Sequence, residues 1–333
     1  MKILAGDIGG TKTSLAIFEV NGTKLTSIKE EKYLSAEYSS LYKIVEEFVH
    51  SHDDTPEYAC FGIAGPVYNK EIAKTTNLPW IVEASVIAEK IGFKKVWLLN
   101  DLEANAWGIS TLQEDDFFTL NVGKENSSAN AAIISAGTGL GEAGLYFDGK
   151  HLNPFSSEGG HSDFAPNSDL EIELLRFLKK RYGDSSHVSW ERVVSGMGIV
   201  NIYDFLLFFK NETTPSWLQN EMNTGDKATA ISNAADNARC QICVQTLKLF
   251  VHFYGAEAGN LALKMMSTST LYLGGGIAPK NLKYFRDSTF MDSFTSKGRM
   301  SQILKDIPVK IILNQKTALY GSAVFCGYKA KKA

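Results

Sequence analysis

Cysteine is scarce in this chain: 333 residues carry four, Cys60, Cys240, Cys243 and Cys326. That is too few and too scattered for a disulfide framework in a chain of this size, so a reducing compartment is expected. Cys240 and Cys243 form a C-x-x-C, but no second pair completes a zinc site, and the motif lies within a helical pattern over 228–266 where the thiols read as packing. A charge excess is missing too. With a net charge of −3 and a pI near 6.1, the sequence has no electrostatic footprint for nucleic acid or for an anionic membrane surface. No apolar run approaches the roughly 18 residues that would span a bilayer, and the N-terminus enters a strand pattern with neither a basic nor an apolar leader region. These absences predict a cytoplasmic protein with no membrane and no nucleic-acid partner.

Glycine is plentiful, 28 residues, and it clusters. The first cluster is Gly6-Asp7-Ile8-Gly9-Gly10-Thr11-Lys12-Thr13, set between apolar runs that read as two strands. Gly9 and Gly10 can take positive φ, which lets successive N–H groups line one concavity around an anion. A P-loop would need glycine before Lys12 and a helix after Thr13; Thr11 and a strand stand there instead. On its own this stretch reads first as an ordinary hairpin turn. A second stretch, Ser135-Ala136-Gly137-Thr138-Gly139-Leu140-Gly141, repeats the strand, turn and strand grammar, as two related lobes gripping one phosphate chain would require. A third, Gly274-Gly275-Gly276, follows another short apolar run and, taken alone, is also a strand-to-helix turn. The run Gly139 to Gly144 matches G-x-G-x-x-G, but Asp148-Gly149 turns the chain where a dinucleotide site would open a helix.

At 44% hydrophobic residues the chain can fill two substantial cores. Strand patterns over 3–7, 13–20 and 24–33, joined by turns such as Asn21-Gly22, predict an antiparallel meander, followed by helices over 40–50 and 82–91 alternating with strands over 58–63 and 95–100. A second meander over 131–155 leads into helices over 168–182, 189–195, 198–210 and 228–266, the last predicted to break or kink at Gly255 and Gly259. Strands over 270–273 and 309–313 bracket a helix led by Pro279, and 317–329 closes the chain as a helix. Phe205, Phe208 and Phe209 read as core. The predicted lobes are residues 1–111 with 314–333, and residues 112–313.

The three glycine stretches, Leu99-Asn100-Asp101 and Glu158-Gly159-Gly160-His161-Ser162-Asp163-Phe164-Ala165-Pro166 resemble, in order, the motifs of bacterial ATP-dependent glucokinases, over nearly the whole chain. Lys12 departs from the pattern, where asparagine is more usual. No cysteine-rich zinc motif follows His161, which favours the zinc-free group. The resemblance implies an α/β fold of two ribonuclease-H-like lobes, as in actin-like ATPases, with a mixed five-stranded sheet in each and the nucleotide in an interlobe cleft. It implies glucose and ATP as partners, Mg²⁺ as cofactor, and a homodimer as a common state.

By the same resemblance, Gly9, Gly10, Thr11 and Lys12 face the phosphates from one lobe and Gly137, Thr138 and Gly139 from the other, Gly274 to Gly276 receive the nucleoside, and Asp7 holds Mg²⁺ through water. Asp101 would take the proton of the sugar's primary hydroxyl, and Asn100, Glu158, His161 and Glu191 would bind the ring. Without it, Asp101 reads as a helix N-cap and Glu191 as a dipole-stabilising charge at a helix start. None of the sugar-facing residues is Arg or Lys, which argues for an unphosphorylated acceptor.

Overall fold

A computed structural model describes residues 1–21, 24–52, 55–75, 78–183 and 187–332. The chain divides into two compact units, Met1–Asp116 with Asn153–Ser156 and Asn314–Ala333, and Phe117–Leu152 with Ser157–Leu313.

The first unit begins with β1 (Lys2–Ile8), β2 (Lys12–Asn21) and β3 (Lys24–Leu34), each antiparallel to the one before. The Gly22 half of the predicted Asn21-Gly22 turn lies outside the described residues. Then come α1 (Leu41–His50), β4 (Tyr58–Ile63), the short strands β5 (Val67–Tyr68), β6 (Ile72–Lys74) and β7 (Ile81–Glu83), α2 (Ala84–Ile91), β8 (Lys95–Asn100) and α3 (Asp101–Gly108). The main sheet runs β3-β2-β1-β4-β8, with β1, β4 and β8 parallel; β5, β6 and β7 form a separate three-stranded sheet that the sequence reading did not contain.

The second unit comprises β9 (Phe117–Asn121), β10 (Ala131–Ala136), β11 (Leu140–Phe147), the two ends of β12 (Leu152–Ser157), whose middle residues Asn153–Ser156 count with the first unit, α4 (Asp169–Tyr182), α5 (Gly196–Lys210), α6 (Ser216–Thr224), α7 (Lys227–Asp236), α8 (Gln241–Met265), β13 (Leu271–Gly274), α9 (Ile277–Lys280), α10 (Leu282–Phe285), α11 (Thr289–Thr295), α12 (Ser301–Lys305) and β14 (Val309–Ile312). Its sheet runs β12-β11-β10-β13-β14-β9, six strands and not the expected five, because β9 adds an antiparallel edge beside β14. The chain then returns to the first unit as α13 (Thr317–Ala330).

Strand alternation explains the first core. Leu4, Leu15 and Ile17 face α1 residues Ile44, Val45 and Phe48, while Ile3, Ala5, Ala16 and Phe18 face Leu319, Ala323 and Phe325 of α13. Neighbouring residues of a strand point to opposite faces, so one strand serves two cores. α13 lies close along α3: a Cβ on Gly321 would overlap the Ala104 carbonyl, and one on Gly108 would overlap that of Thr317.

In the second unit the predicted 228–266 helix is two helices, but the break is at Asn237–Cys240, where Ala238 has φ 51, and not at the glycines. Gly255 and Gly259 sit inside α8, where a Cβ would press on the backbone carbonyls of Phe290 and Phe294 in α11. They are there for close helix packing. Cys240 is the N-cap residue of α8, and both it and Cys243 are buried free thiols. The predicted 189–195 helix is only a 3₁₀ turn, Trp190–Arg192. Phe205 is core, but Phe208 and Phe209 are 68% and 51% exposed and lie against Phe177 and Phe205 on the surface.

Candidate active site

In the first unit, register pairs Ile8 with Thr13, so Gly9 to Lys12 make the turn between β1 and β2. Gly9 N–H donates to the Lys12 carbonyl at 3.0 Å, and neither Gly9 nor Gly10 has positive φ, contrary to expectation. What fixes the turn is Ser35, buried just after β3. Its hydroxyl donates to the Gly9 carbonyl at 2.8 Å and accepts from Thr13 Oγ1 at 3.0 Å, and its N–H donates to the Thr11 carbonyl at 3.1 Å. Thr11 and Lys12 are exposed. No motif marks Ser35; burial and hydrogen bonding reveal it. Ser35→Ala is expected to loosen this turn, since one buried hydroxyl anchors it at two points, and hydrogen exchange of the backbone amides of residues 9–12 should speed up about tenfold. Unchanged exchange there removes Ser35 as the anchor.

Asn100 ends β8 and caps α3: its Oδ1 accepts the Leu102 N–H at 3.0 Å, while its Nδ2 donates to the Gly65 carbonyl at 3.2 Å. The N-cap is therefore Asn100, and Asp101 is the first helical residue, its Oδ1 also accepting the Leu102 N–H, at 2.9 Å. Asp7, on β1, lies near enough that burial first, and the Asp101 charge second, push its pKa up to about 6. Two half-buried carboxylates converging beside a glycine turn suit a divalent cation. Among the described residues no group of three or more His, Cys, Asp or Glu side chains is placed to hold a metal. The donor set fits Mg²⁺, which keeps several waters and binds through one or two carboxylates plus substrate phosphates.

In the second unit, Gly137 to Gly139 turn between β10 and β11, with Gly137 N–H donating to the Gly139 carbonyl at 2.9 Å and the Gly137 carbonyl accepting from Gly196 at 2.8 Å. Thr138 at the tip is exposed. The third glycine turn lies beside this one, since β13 pairs with β10 and matches Gly274 to Ser135. Gly275 has φ 78, and a Cβ there would meet Ser135 Oγ at 2.8 Å, so only glycine suits it. Gly276 faces open space. The hydroxyl of Tyr254, fully buried on α8, accepts from the Ala136 N–H and donates to the Ile134 carbonyl, each at 3.1 Å, pinning the strand that leads to Gly137.

Glu158, Gly159, Gly160 and His161 form a 3₁₀ turn against the start of β11, with Glu158 and His161 exposed. The Trp190 N–H donates to the Ser162 carbonyl at 3.0 Å, tying this turn to the one that carries Glu191. His187 meets the His161 carbonyl through Nε2 at 2.7 Å and Asp163 through Nδ1 at 2.7 Å. Glu191 Oε2 accepts the Leu140 N–H at 3.0 Å, directly after the second glycine turn. Glu158, His161 and Glu191 are thus gathered beside Gly139.

A family model described as Glucokinase matches residues 4–328. The chain belongs to the glucokinase family. It is 44% identical over 335 residues to the glucokinase of Nostoc punctiforme, covering 97% of this chain and 98% of that one. The glucokinase of Synechocystis sp. is 39% identical over 347 residues, covering 97% of each. A crystal structure of glucokinase from an Antarctic psychrotroph superposes with a TM-score of 0.85 at 30% identity, covering 98% of this chain and 99% of that one. The mixed α/β fold is thus that of glucokinases, and no helix among the described residues is long and apolar enough to cross a membrane.

Proposed function

We propose that the chain transfers the γ-phosphoryl group of ATP to the 6-hydroxyl of glucose, giving glucose 6-phosphate and ADP for glycolysis. The observation that carries this is Asp101, a half-buried carboxylate at the end of a parallel strand, facing Asp7 beside the first glycine turn. Membership of the glucokinase family supports the substrate pair.

Phosphoryl transfer asks a protein mainly for positioning and charge stabilisation. In the first unit, Gly9, Gly10 and Thr11, with Lys12 beside them, approach the phosphates through the turn that Ser35 anchors. Asp101 accepts the proton of the attacking hydroxyl, and Asn100 offers the ring its remaining amide hydrogen. Asp7 would hold Mg²⁺, which when bound would offset the phosphate charge. In the second unit, Gly137 to Gly139 meet the phosphates and Gly274 to Gly276 the nucleoside. Glu158, His161 and Glu191 bind sugar hydroxyls, each of which both donates and accepts. The absence of Arg and Lys from the sugar set fits a free sugar. A coupled assay with ATP·Mg²⁺ and a panel of free hexoses and amino sugars tests the reading. Glucose should give the highest kcat/KM, and turnover of none of the panel would overturn it.

Asp7→Asn separates function from stability. Because burial and Asp101 raise its pKa, the fold prefers Asp7 protonated, so stability falls as pH rises from the unfolded carboxylate range through about 6 and is level above. The asparagine variant should lose this dependence, gain Tm without ligand at neutral pH, and turn over at least about 10²-fold more slowly. Thermal melts at acidic and neutral pH beside kinetics decide it; a lower Tm at neutral pH contradicts the charge argument.

A further inference from the structure

Two glutamates lie fully inside the second unit and take no part in the proposed chemistry. Glu142 on β11 is 1% exposed and Glu257 on α8 is 0% exposed. Carboxylates are almost never buried this deeply without a partner. The two face each other within hydrogen-bonding reach, and the Glu257 charge acts on the Glu142 proton.

Their surroundings are unequal. Glu257 Oε2 accepts from Asn260 Nδ2 at 2.7 Å, and Lys264 Nζ lies 3.5 Å from its Oε1. Lys297 also faces this side, donating to Asn260 Oδ1 at 2.7 Å. Glu142 feels the Lys264 charge but makes no ion pair among the described residues, and its Oε1 is a buried oxygen without a hydrogen-bond partner there. A proton on Glu142, given to Glu257, satisfies that oxygen and leaves the single negative charge where Lys264 and Asn260 can offset it. A charge on Glu142 would also act on the buried phenol of Tyr254.

The other oxygen of Glu142 has a different neighbour. Oε2 lies where a Cβ on Gly159 would stand, so the turn carrying Glu158 and His161 rests its backbone on this carboxyl. Gly160 is just as close to the Leu140 carbonyl, two residues before Glu142.

We propose that Glu142 is a positioning residue for the reaction: its carboxyl, held to Glu257 by a shared proton, is the floor on which Gly159 rests and sets the height of the turn that presents Glu158 and His161 to the sugar. The inference rests on the sugar-binding reading of that turn. Burial first and the Glu257 charge second push Glu142 up to about 8, while burial raises Glu257 and the hydrogen bond from Glu142 holds it lower, so the shared proton sits on Glu142 and is lost on the alkaline side of neutrality. Loss puts two charges in one buried space and pushes the Glu142 side chain against the turn.

The test follows KM for glucose, KM for ATP and hydrogen exchange of the backbone amides of residues 159–162 between about pH 7 and 9.5. In the unaltered protein, glucose KM should rise about 3- to 10-fold and the turn amides should lose protection beyond the intrinsic pH effect, with ATP KM flat. Glu142→Gln keeps the donor to Glu257 at every pH and should abolish both changes. A second pair of variants uses geometry alone: Gly159→Ala should raise glucose KM, and adding Glu142→Ser should restore it. Exchange profiles that superimpose for the unaltered and Gln proteins, or a Gly159→Ala defect untouched by Glu142→Ser, overturn the inference. Glu158→Gln, measured alongside, keeps the two claims apart: an unchanged glucose KM there condemns the sugar reading of the turn, while the exchange profiles still decide the role of Glu142.

Discussion

Replacing Asp101 by asparagine is expected to lower kcat by roughly 10² to 10⁴, the range of general acid–base catalysis, and to leave ATP affinity nearly unchanged. The substitution keeps the shape of the side chain and removes its basicity. It should not disturb the helix, because Asn100 supplies the cap, and the oxygen that Asp101 gives to the Leu102 N–H has a counterpart in the amide. Glucose affinity should fall modestly, since an NH₂ now donates where a carboxylate accepted. Asp7 adds a signature that simple misfolding cannot mimic. The Asp101 charge helps to raise the Asp7 pKa, so its loss should raise the Tm of the ligand-free protein at neutral pH as kcat falls. Turnover at saturating substrates, calorimetric titration with each substrate and a thermal melt together decide the matter. Near-normal kcat ends the assignment of Asp101 as the base.

Gly137→Val should raise the KM for ATP by about 10²-fold while leaving glucose binding in place. A Cβ at Gly137 meets no atom within 4 Å, and its φ is not positive, so the fold accepts the side chain. The valine instead fills the space into which the nucleotide phosphates are proposed to come. Gly139 makes the contrast. There a Cβ would lie 2.5 Å from Glu191 Oε2, so Gly139→Val should weaken glucose as well as ATP. Titration of each ligand into both variants separates blocking from displacement. An ATP affinity unchanged in folded Gly137→Val excludes this turn from the nucleotide site.

The glycine turns were legible because a strand, a turn and a strand leave a mark in sequence that the fold preserves, and the turns lie where β1 meets β2 and β10 meets β11. The supports of those turns were not legible. Ser35 and Tyr254 belong to no motif, and their hydroxyls act on backbone atoms 26 and 120 residues away in sequence. Glu142 and Glu257 contradict the rule by which strand and helix faces are read, because polar residues are assigned to the solvent side. Gly255 and Gly259 were misread for a related reason: a glycine in a helix signals a weak point only when no neighbouring helix needs the space its side chain would occupy. Phe205, Phe208 and Phe209 share one face of α5 and so look like one buried cluster, but Phe208 and Phe209 fall in its last turn, where the helix runs out to Lys210 and residues 208–210 are all exposed. β9, five residues long at a sheet edge, and the two- and three-residue strands β5, β6 and β7 are too brief for alternation to register.

The close packing of α13 along α3 also bears on how the molecule is made. The proposed base stands on α3, whose main packing partner is α13, the helix that also covers one face of β1. A ribosome must synthesise the whole second unit, on the order of 200 residues, before that partner exists; at about 5–20 residues per second this takes roughly 10 to 40 s. During that interval the N-terminal sheet has Ile3, Ala5, Ala16 and Phe18 uncovered on one face, while the second unit, broken in sequence only by Asn153–Ser156, has nearly all it needs to fold. Order of synthesis and order of completion are therefore reversed: β1 and β2 are made before the second unit but covered after it, and a nascent chain that has not yet reached α13 has an open apolar face for a holdase chaperone to cover.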